Sequence, residues 1–359
     1  MSNKPIVLII HGMGTHSEES VKDEFKVGLH NCMEFFGKEN FNVNDHFTIK
    51  TFNYSENWDK KRKLFAKHLQ GNINESLSLT PALIKRIIEV TAEFDGDDFL
   101  HTHVLDVLFY LTGTLRGQEL SKLHEALGNE IEANINDLNN QPLIVISHSL
   151  GTSFIHDCLT QLYTSRLNPI KFGLDQLWSI ATVSRLTHLI SRMDDPNNSI
   201  VTDHSPVKAG VCKIFYPVYN ELDPFCWFKR YQRIPNEGLL INTKHVRDLK
   251  KIYGDKESLK VNPHDLREYF SDPEVGGRFL SVNGILDISI GEFTKAQNLY
   301  RKTTITGDIS TRVKAIKDKL IQLDNVTNNA SGIRKKITIL LDVYEIINEI
   351  RDEYKFFED

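Results

Sequence analysis

The stretch Leu143-Ile144-Val145-Ile146-Ser147-His148-Ser149-Leu150-Gly151-Thr152-Ser153-Phe154 constrains the fold more than any other part of the chain. Its four leading apolar residues predict a short strand covered on both faces, as inside a parallel sheet. A sharp turn through small and polar residues follows. Leu150, Phe154, Leu159 and Leu162 then form the apolar stripe of a helix. This order leaves Ser149 at the apex of the turn, with its backbone beside the N-terminus of the helix. The first N–H groups of a helix lack partners and carry partial positive charge, so a developing anion is favoured there.

A serine between a buried strand and a helix is the arrangement of a nucleophile elbow, G-x-S-x-G. The chain has S-H-S-L-G, with Ser147 in place of the first glycine. That position needs a small residue because neighbouring backbone passes close, and serine is small. The competing reading is a plain strand-to-helix turn that contains a serine.

Ile6 to Ile10 predicts a second buried strand, running into His11-Gly12-Met13-Gly14-Thr15-His16. Glycines after a strand let the backbone turn and approach a bound group. No G-x-x-x-x-G-K-[ST] follows, which sets aside a phosphate loop. With an elbow elsewhere, H-G-M-G makes sense as half of an oxyanion hole. Its donors are the N–H groups of Met13 and Leu150. Losing one such donor costs about 3 kcal/mol of transition-state stabilisation.

A serine hydroxyl needs a base, and the base needs a carboxylate to hold its tautomer. In an elbow fold these follow in the order serine, acid, histidine. The acid belongs just after a later strand. Asp223 follows the apolar run Val211 to Val218, and Pro224 keeps it out of a helix. Glu221 is the runner-up. Only His245 and His264 come later. His264 is preferred because Asn262-Pro263-His264 forms a loop opening into a helix. His148 is expected to point away from the serine, His11 to brace the glycine turn, and His16 to lie on the rim.

The remaining chain predicts an α/β protein: a mostly parallel sheet with helices on both faces. Further strands are expected at Phe47 to Phe52, Leu177 to Val183 and Gly238 to Asn242. Helices are expected at about Ser20 to Phe36, Pro81 to Val90, Phe99 to Leu111 and Gly117 to Leu138. The very apolar third of these suggests a cap or cleft wall, since substrate pockets are mostly apolar. The domain reading is a body over residues 1–300, with a helical insertion around 56–115, and a C-terminal helical hairpin over 301–359. The hairpin's apolar stripes, such as Ile309, Val313, Ile316 and Leu320, want a surface to cover them. They can pack on the body, or serve a homo-oligomer or a protein partner.

Composition bounds the function classes. The chain has 359 residues and a net charge of -5, which argues against nucleic acid as the main partner. The cysteines Cys32, Cys158, Cys212 and Cys226 have no zinc-ligand spacing. No metal and no cofactor is expected. The first apolar run is too short for a signal peptide, and none approaches transmembrane length. A cytoplasmic location is therefore expected. The basic stretch Trp58 to Leu69 suits a solvated helix face, with contact to a membrane surface as the sharper alternative.

With H-G-M-G, S-H-S-L-G, the aspartate of N-E-L-D-P-F and the histidine of N-P-H-D-L-R-E-Y-F in this order, residues Lys4 to Val275 resemble the α/β-hydrolase superfamily. Within it the chain looks like the bacterial lipase-like serine esterases. The resemblance implies a Ser149–His264–Asp223 triad and an oxyanion hole from Met13 and Leu150. It implies hydrolysis of a carboxylic ester, acyl-lipid or phospholipid-like, through an acyl-enzyme. The missing first glycine is the main departure, and the hairpin is not covered. The alternative is the same scaffold used as a binding module through that hairpin.

Overall fold

Continuous runs of Ile, Val and Leu build the centre of the molecule. The structure, a computed structural model, describes residues 4–11, 17–52, 118–135, 141–164, 174–183, 199–203, 210–223, 226, 240–247 and 262–305, with scattered residues between 318 and 346. Its elements are β1 (Ile6–Ile10), α1 (Glu18–Phe35), β2 (Thr48–Phe52), α2 (Gln118–Ile135), β3 (Leu143–His148) and α3 (Leu150–Thr164). Then come β4 (Leu174–Ile180), β5 (Cys212–Asn220), β6 (Ile241–Thr243), β7 (Val246–Arg247) and α4 (Leu266–Ser271). A π-helical turn (Pro273–Gly277), α5 (Arg278–Val282), α6 (Ile290–Lys302) and β8 (Thr304–Ile305) complete the described body. The expected helices at 81–90 and 99–111, the insertion at 56–115 and the basic stretch 58–69 lie outside the described residues.

The sheet has six strands in the order β2-β1-β3-β4-β5-β6, every neighbouring pair parallel. The chain steps from β1 to β2 on one side, then crosses to β3 and moves steadily outward. The order therefore reverses between β1 and β3. In open α/β sheets the crevice at the carboxyl ends of such strands is where ligands bind. His11 leaves β1 there, and Ser149 leaves β3 there.

Every residue of β1 and β3 is buried, which is why both appear in the sequence as unbroken apolar runs. Alternate side chains serve different layers. Ile9, Ile146, Trp178 and Tyr216 form one row across the sheet through paired registers. This row joins Phe25, Phe270 and Phe279 in a common core. Trp178 stacks on Tyr216 with centroids 4.2 Å apart and meets Phe279 edge-on at 5.2 Å. Its Nε1 donates to Gln176 Oε1 at 2.8 Å, and Gln176 Nε2 donates to Asn283 Oδ1 at 2.9 Å. The buried polar groups are thus satisfied in a chain rather than left in apolar surroundings.

α1 starts at Ser17, whose side chain accepts from the Ser20 N–H, with Glu18 and Glu19 in the favourable first turn. Its buried stripe of Val21, Phe25, Leu29, Cys32 and Met33 faces the core. At Gly28 a Cβ would lie 2.8 Å from Arg267 O and from Phe270 Cβ. The bare glycine lets α1 touch α4 backbone to backbone. α4 directly follows His264, so this contact helps fix where that histidine stands. α2 packs against α3, and α3 lies against β1 and β3.

α4 ends at Asp272. Its Oδ1 accepts from the Glu274 N–H at 2.8 Å and caps the π-helical turn. Its Oδ2 is buried and has no hydrogen-bond partner among the described residues. Burial pushes this carboxyl up to about 7. A carboxyl raised on folding holds a proton that the unfolded chain has lost, so stability falls as pH rises from about 3.8 to about 7. Asp272→Asn keeps the capping oxygen and removes the charge. The variant is expected to gain thermal stability relative to wild type as pH rises through that window. Melting curves at pH 4.5, 6 and 8 check this; a gap that does not change with pH contradicts it.

Near the end of the chain, Lys319 Nζ lies 2.6 Å from Asp342 Oδ2, and Ile337, Ile339, Leu341 and Val343 are buried. Among the described residues no helix is long and apolar enough to cross a membrane.

Candidate active site

Ser149 occupies the single residue between β3 and α3, with φ of 54°. A left-handed backbone at a residue other than glycine costs about 1–3 kcal/mol and persists only where its surroundings enforce it. Several bonds enforce it here. The Ser149 N–H donates to Ile180 O at 3.0 Å. Ser149 O accepts from the Thr152 N–H at 2.9 Å and from Thr152 Oγ1 at 2.6 Å. Thr152 Oγ1 accepts in turn from the Val183 N–H at 3.1 Å. The turn is held between two strand ends and the first turn of α3.

Gly151 permits this packing. A Cβ there would sit 2.4 Å from Ile10 O, well inside contact distance. Ser147 explains how the chain tolerates a side chain where the elbow pattern has glycine. It pairs with Ile10 on one side and Ser179 on the other. Its hydroxyl donates to Trp178 O at 3.2 Å and lies 3.3 Å from Ser179 Oγ. The extra oxygen is absorbed by the neighbouring strand.

Asp223 and His264 come together. His264 Nδ1 lies 2.7 Å from Asp223 Oδ2, and both side chains have no exposure to solvent. A carboxylate accepts, so Nδ1 carries the proton, and a neutral imidazole then keeps its lone pair on Nε2. Asp223 hangs on a turn directly after β5. Its N–H donates to Asn220 O at 3.1 Å, and the Leu222 N–H donates to Asn220 Oδ1 at 2.9 Å. His264 is held by its own N–H, which donates to Asn262 Oδ1 at 3.0 Å.

Tyr269 was not singled out from the sequence, yet it joins the acid. Its hydroxyl donates to Asp223 Oδ2 at 2.6 Å and accepts from the Asn220 N–H at 3.1 Å. Burial, and then the neighbouring Asp223, hold the phenol well above its ordinary value, so it stays a donor. Cys226 Sγ approaches the same carboxylate oxygen at 3.4 Å, its thiol raised by burial first and Asp223 second. The only local hint of Tyr269 is its place in the helix that opens just after His264.

His148 has a definite partner, and its ring centroid lies 4.8 Å from that of His264. Its Nε2 lies 2.7 Å from His264 O. A carbonyl only accepts, so this nitrogen carries hydrogen. The residue before Ser149 is thereby tied to the backbone of the histidine, 116 positions away. His11 packs on His148 with ring centroids 4.9 Å apart, and its Nε2 is 4.0 Å from Glu24 Oε2. Burial, reinforced by Asp265 and opposed by Arg267, pushes the Glu24 carboxyl up to about 8.

The runners-up have other engagements. Glu221 Oε1 accepts from Asn242 Nδ2 at 2.9 Å, away from the histidine. His245 offers its carbonyl to Asn220 Nδ2 at 2.9 Å. Leu150 is buried at the start of α3, where its N–H belongs to the first turn. Met13, His16 and Pro224 lie outside the described residues. Ser149 Oγ is buried and has no hydrogen-bond partner among the described residues, and His264 Nε2 is buried as well. No group of three or more metal-ligating side chains occurs among the described residues.

No family model matches the sequence, and no curated protein matches it.

Proposed function

We propose that the chain is a cofactor-independent serine hydrolase of carboxylic esters, built on an α/β-hydrolase arrangement of its parallel sheet. The observation that carries this reading is the buried Asp223–His264 pair, together with a serine in a left-handed turn at the reversal point of the sheet. A plain structural turn has no need of a buried carboxylate bonded to an imidazole nearby, and burying a carboxylate is costly without a function or strong compensation.

In this mechanism Ser149 Oγ attacks the ester carbonyl carbon. Its proton passes to Nε2 of His264, the nitrogen left with a lone pair. Asp223 holds Nδ1–H and stabilises the imidazolium as it forms. The negative charge on the carbonyl oxygen falls beside the Leu150 N–H, at the positive end of α3. The Met13 N–H is the proposed second donor. Collapse breaks the ester C–O bond, and His264 returns its proton to the leaving alcohol. Water then attacks the acyl-enzyme with His264 as base, and the acid leaves. An acyl-lipid or phospholipid-like substrate is the proposed class.

A fluorophosphonate probe is expected to label the wild-type chain at one serine, with labelling lost in Ser149→Ala. Labelling that persists in Ser149→Ala removes this serine from the role.

A further inference from the structure

A second concave site lies on the far side of β6. A cavity of about 280 Å³ opens between the end of that strand and α6, with none of Ser149, Asp223 and His264 on its wall. Its walls include Asn242, Lys244, Asp272, Gln297, Tyr300 and Arg301. Polar side chains dominate, which is unusual for a hydrocarbon-binding pocket.

The charges on this wall do not cancel. Lys244 and Arg301 are both exposed and form no ion pair among the described residues. Their fields converge on the cavity. His245, also on the wall, is held below its ordinary value by burial and then by Arg301 and Lys244. The acids are partly silenced. Glu274 is engaged by Arg278 and by Gln297 Nε2. Asp272 is pushed towards its neutral form by burial. With Glu274 committed to Arg278, Lys244 and Arg301 face Asp272 as the one other carboxyl of the wall. The buried Tyr300 hydroxyl and Asp272 Oδ2 also lack hydrogen-bond partners among the described residues, although both belong to the wall.

We infer that this cavity binds a small hydroxylated phosphate monoester, with its phosphate between Lys244 and Arg301. A phosphate monoester carries a charge of about −1.5 to −2 at neutral pH, which two cations match and a single carboxylate does not. A guanidinium offers a paired-donor fork to phosphate oxygens, and an ammonium offers a mobile point charge. The amide nitrogens of Asn242 and Gln297 are held by Glu221 and Glu274, which leaves their amide oxygens to accept from hydroxyl groups on the rest of the molecule.

Isothermal titration calorimetry on the full chain tests this, using glycerol 3-phosphate, inorganic phosphate and glycerol as probes. Glycerol 3-phosphate is expected to bind at one site. Affinity should fall about a hundredfold in the Lys244→Gln/Arg301→Gln double variant, since each of the two lost charge-assisted bonds is worth about tenfold. Both side chains are exposed, so the variant keeps its fold. Inorganic phosphate is expected to bind more weakly, and glycerol not at all. No binding of either anion at millimolar concentration overturns the inference, as does undiminished binding by the double variant. Equal affinity for phosphate and its ester overturns the ester assignment in favour of free phosphate. The readout is binding, so it stands apart from any test of ester hydrolysis.

Discussion

An Asp223→Asn variant is expected to fold as the wild type does and to lose about four orders of magnitude in kcat on a short-chain ester. His264 Nδ1 and the Tyr269 hydroxyl both bond Asp223 Oδ2, His264 at 2.7 Å. With the amide NH2 in that position, the Tyr269 hydroxyl must turn to accept from it, and His264 Nδ1 faces a donor. Two donors cannot face each other, so the imidazole moves its hydrogen to Nε2. The nitrogen that should take the serine proton then has no lone pair to offer. Tyr269→Phe makes a useful companion. It removes one of the bonds to Asp223 Oδ2 but leaves the tautomer alone, so a loss of about tenfold is expected. Steady-state kinetics with circular dichroism as the folding control measures both. A drop of less than tenfold in Asp223→Asn would remove the aspartate from the mechanism.

Arg247→Ala carries the largest expected cost in stability, about 3–5 kcal/mol. Arg247 Nε lies 3.1 Å from Glu268 Oε2, and Arg247 Nη2 lies 2.5 Å from Oε1. The side chains are only 11% and 4% exposed, so the removal strands a carboxylate away from water. Arg267, 3.7 Å from Glu268 and 40% exposed, recovers part of the loss and favours the lower end of that range. Replacing both partners, as Arg247→Met/Glu268→Leu, removes the stranded charge and is expected to restore most of the stability. Urea unfolding of the single and double variants decides the matter. A double variant as unstable as the single one means that the pair itself stabilises the fold.

The ribbon of β7 and β8 bears on this second result. Val246 and Arg247 pair with Ile305 and Thr304 in antiparallel fashion. Arg247 thus links the segment after α6 to the helix that follows His264. Destabilising it is expected to loosen the histidine loop as well as the ribbon.

The parallel sheet was largely legible in the sequence because strands buried on both faces cannot alternate. β1 and β3 appear there as solid apolar runs. β4 begins at Leu174, earlier than expected, because Asp175 and Gln176 do not look like strand residues, their side chains having polar partners at the start of this central strand. α6 was not foreseen, although Ser289 and Glu292 form a capping box that marks its start. Its sequence is mostly polar, so hydrophobic stepping alone does not reveal it.

At the site, chain order and local turn chemistry were enough to single out Asp223 and His264, which the structure joins. Tyr269 and His148 could not be assigned partners in the same way. Their bonds reach 46 and 116 positions along the chain, and only the folded arrangement brings those groups together. The serine at 147 looked like a departure from the elbow pattern. It is absorbed by Trp178 and Ser179, residues of the next strand, which the pentapeptide does not contain.

The Tyr269 hydroxyl bonds at once to the last main-chain N–H of β5 and to the carboxylate three residues later. Asp223 keeps its own turn at the end of β5, while His264 opens into the helix that carries Tyr269. The phenol therefore clasps one to the other, so strand end and helix cannot part without breaking both of its bonds.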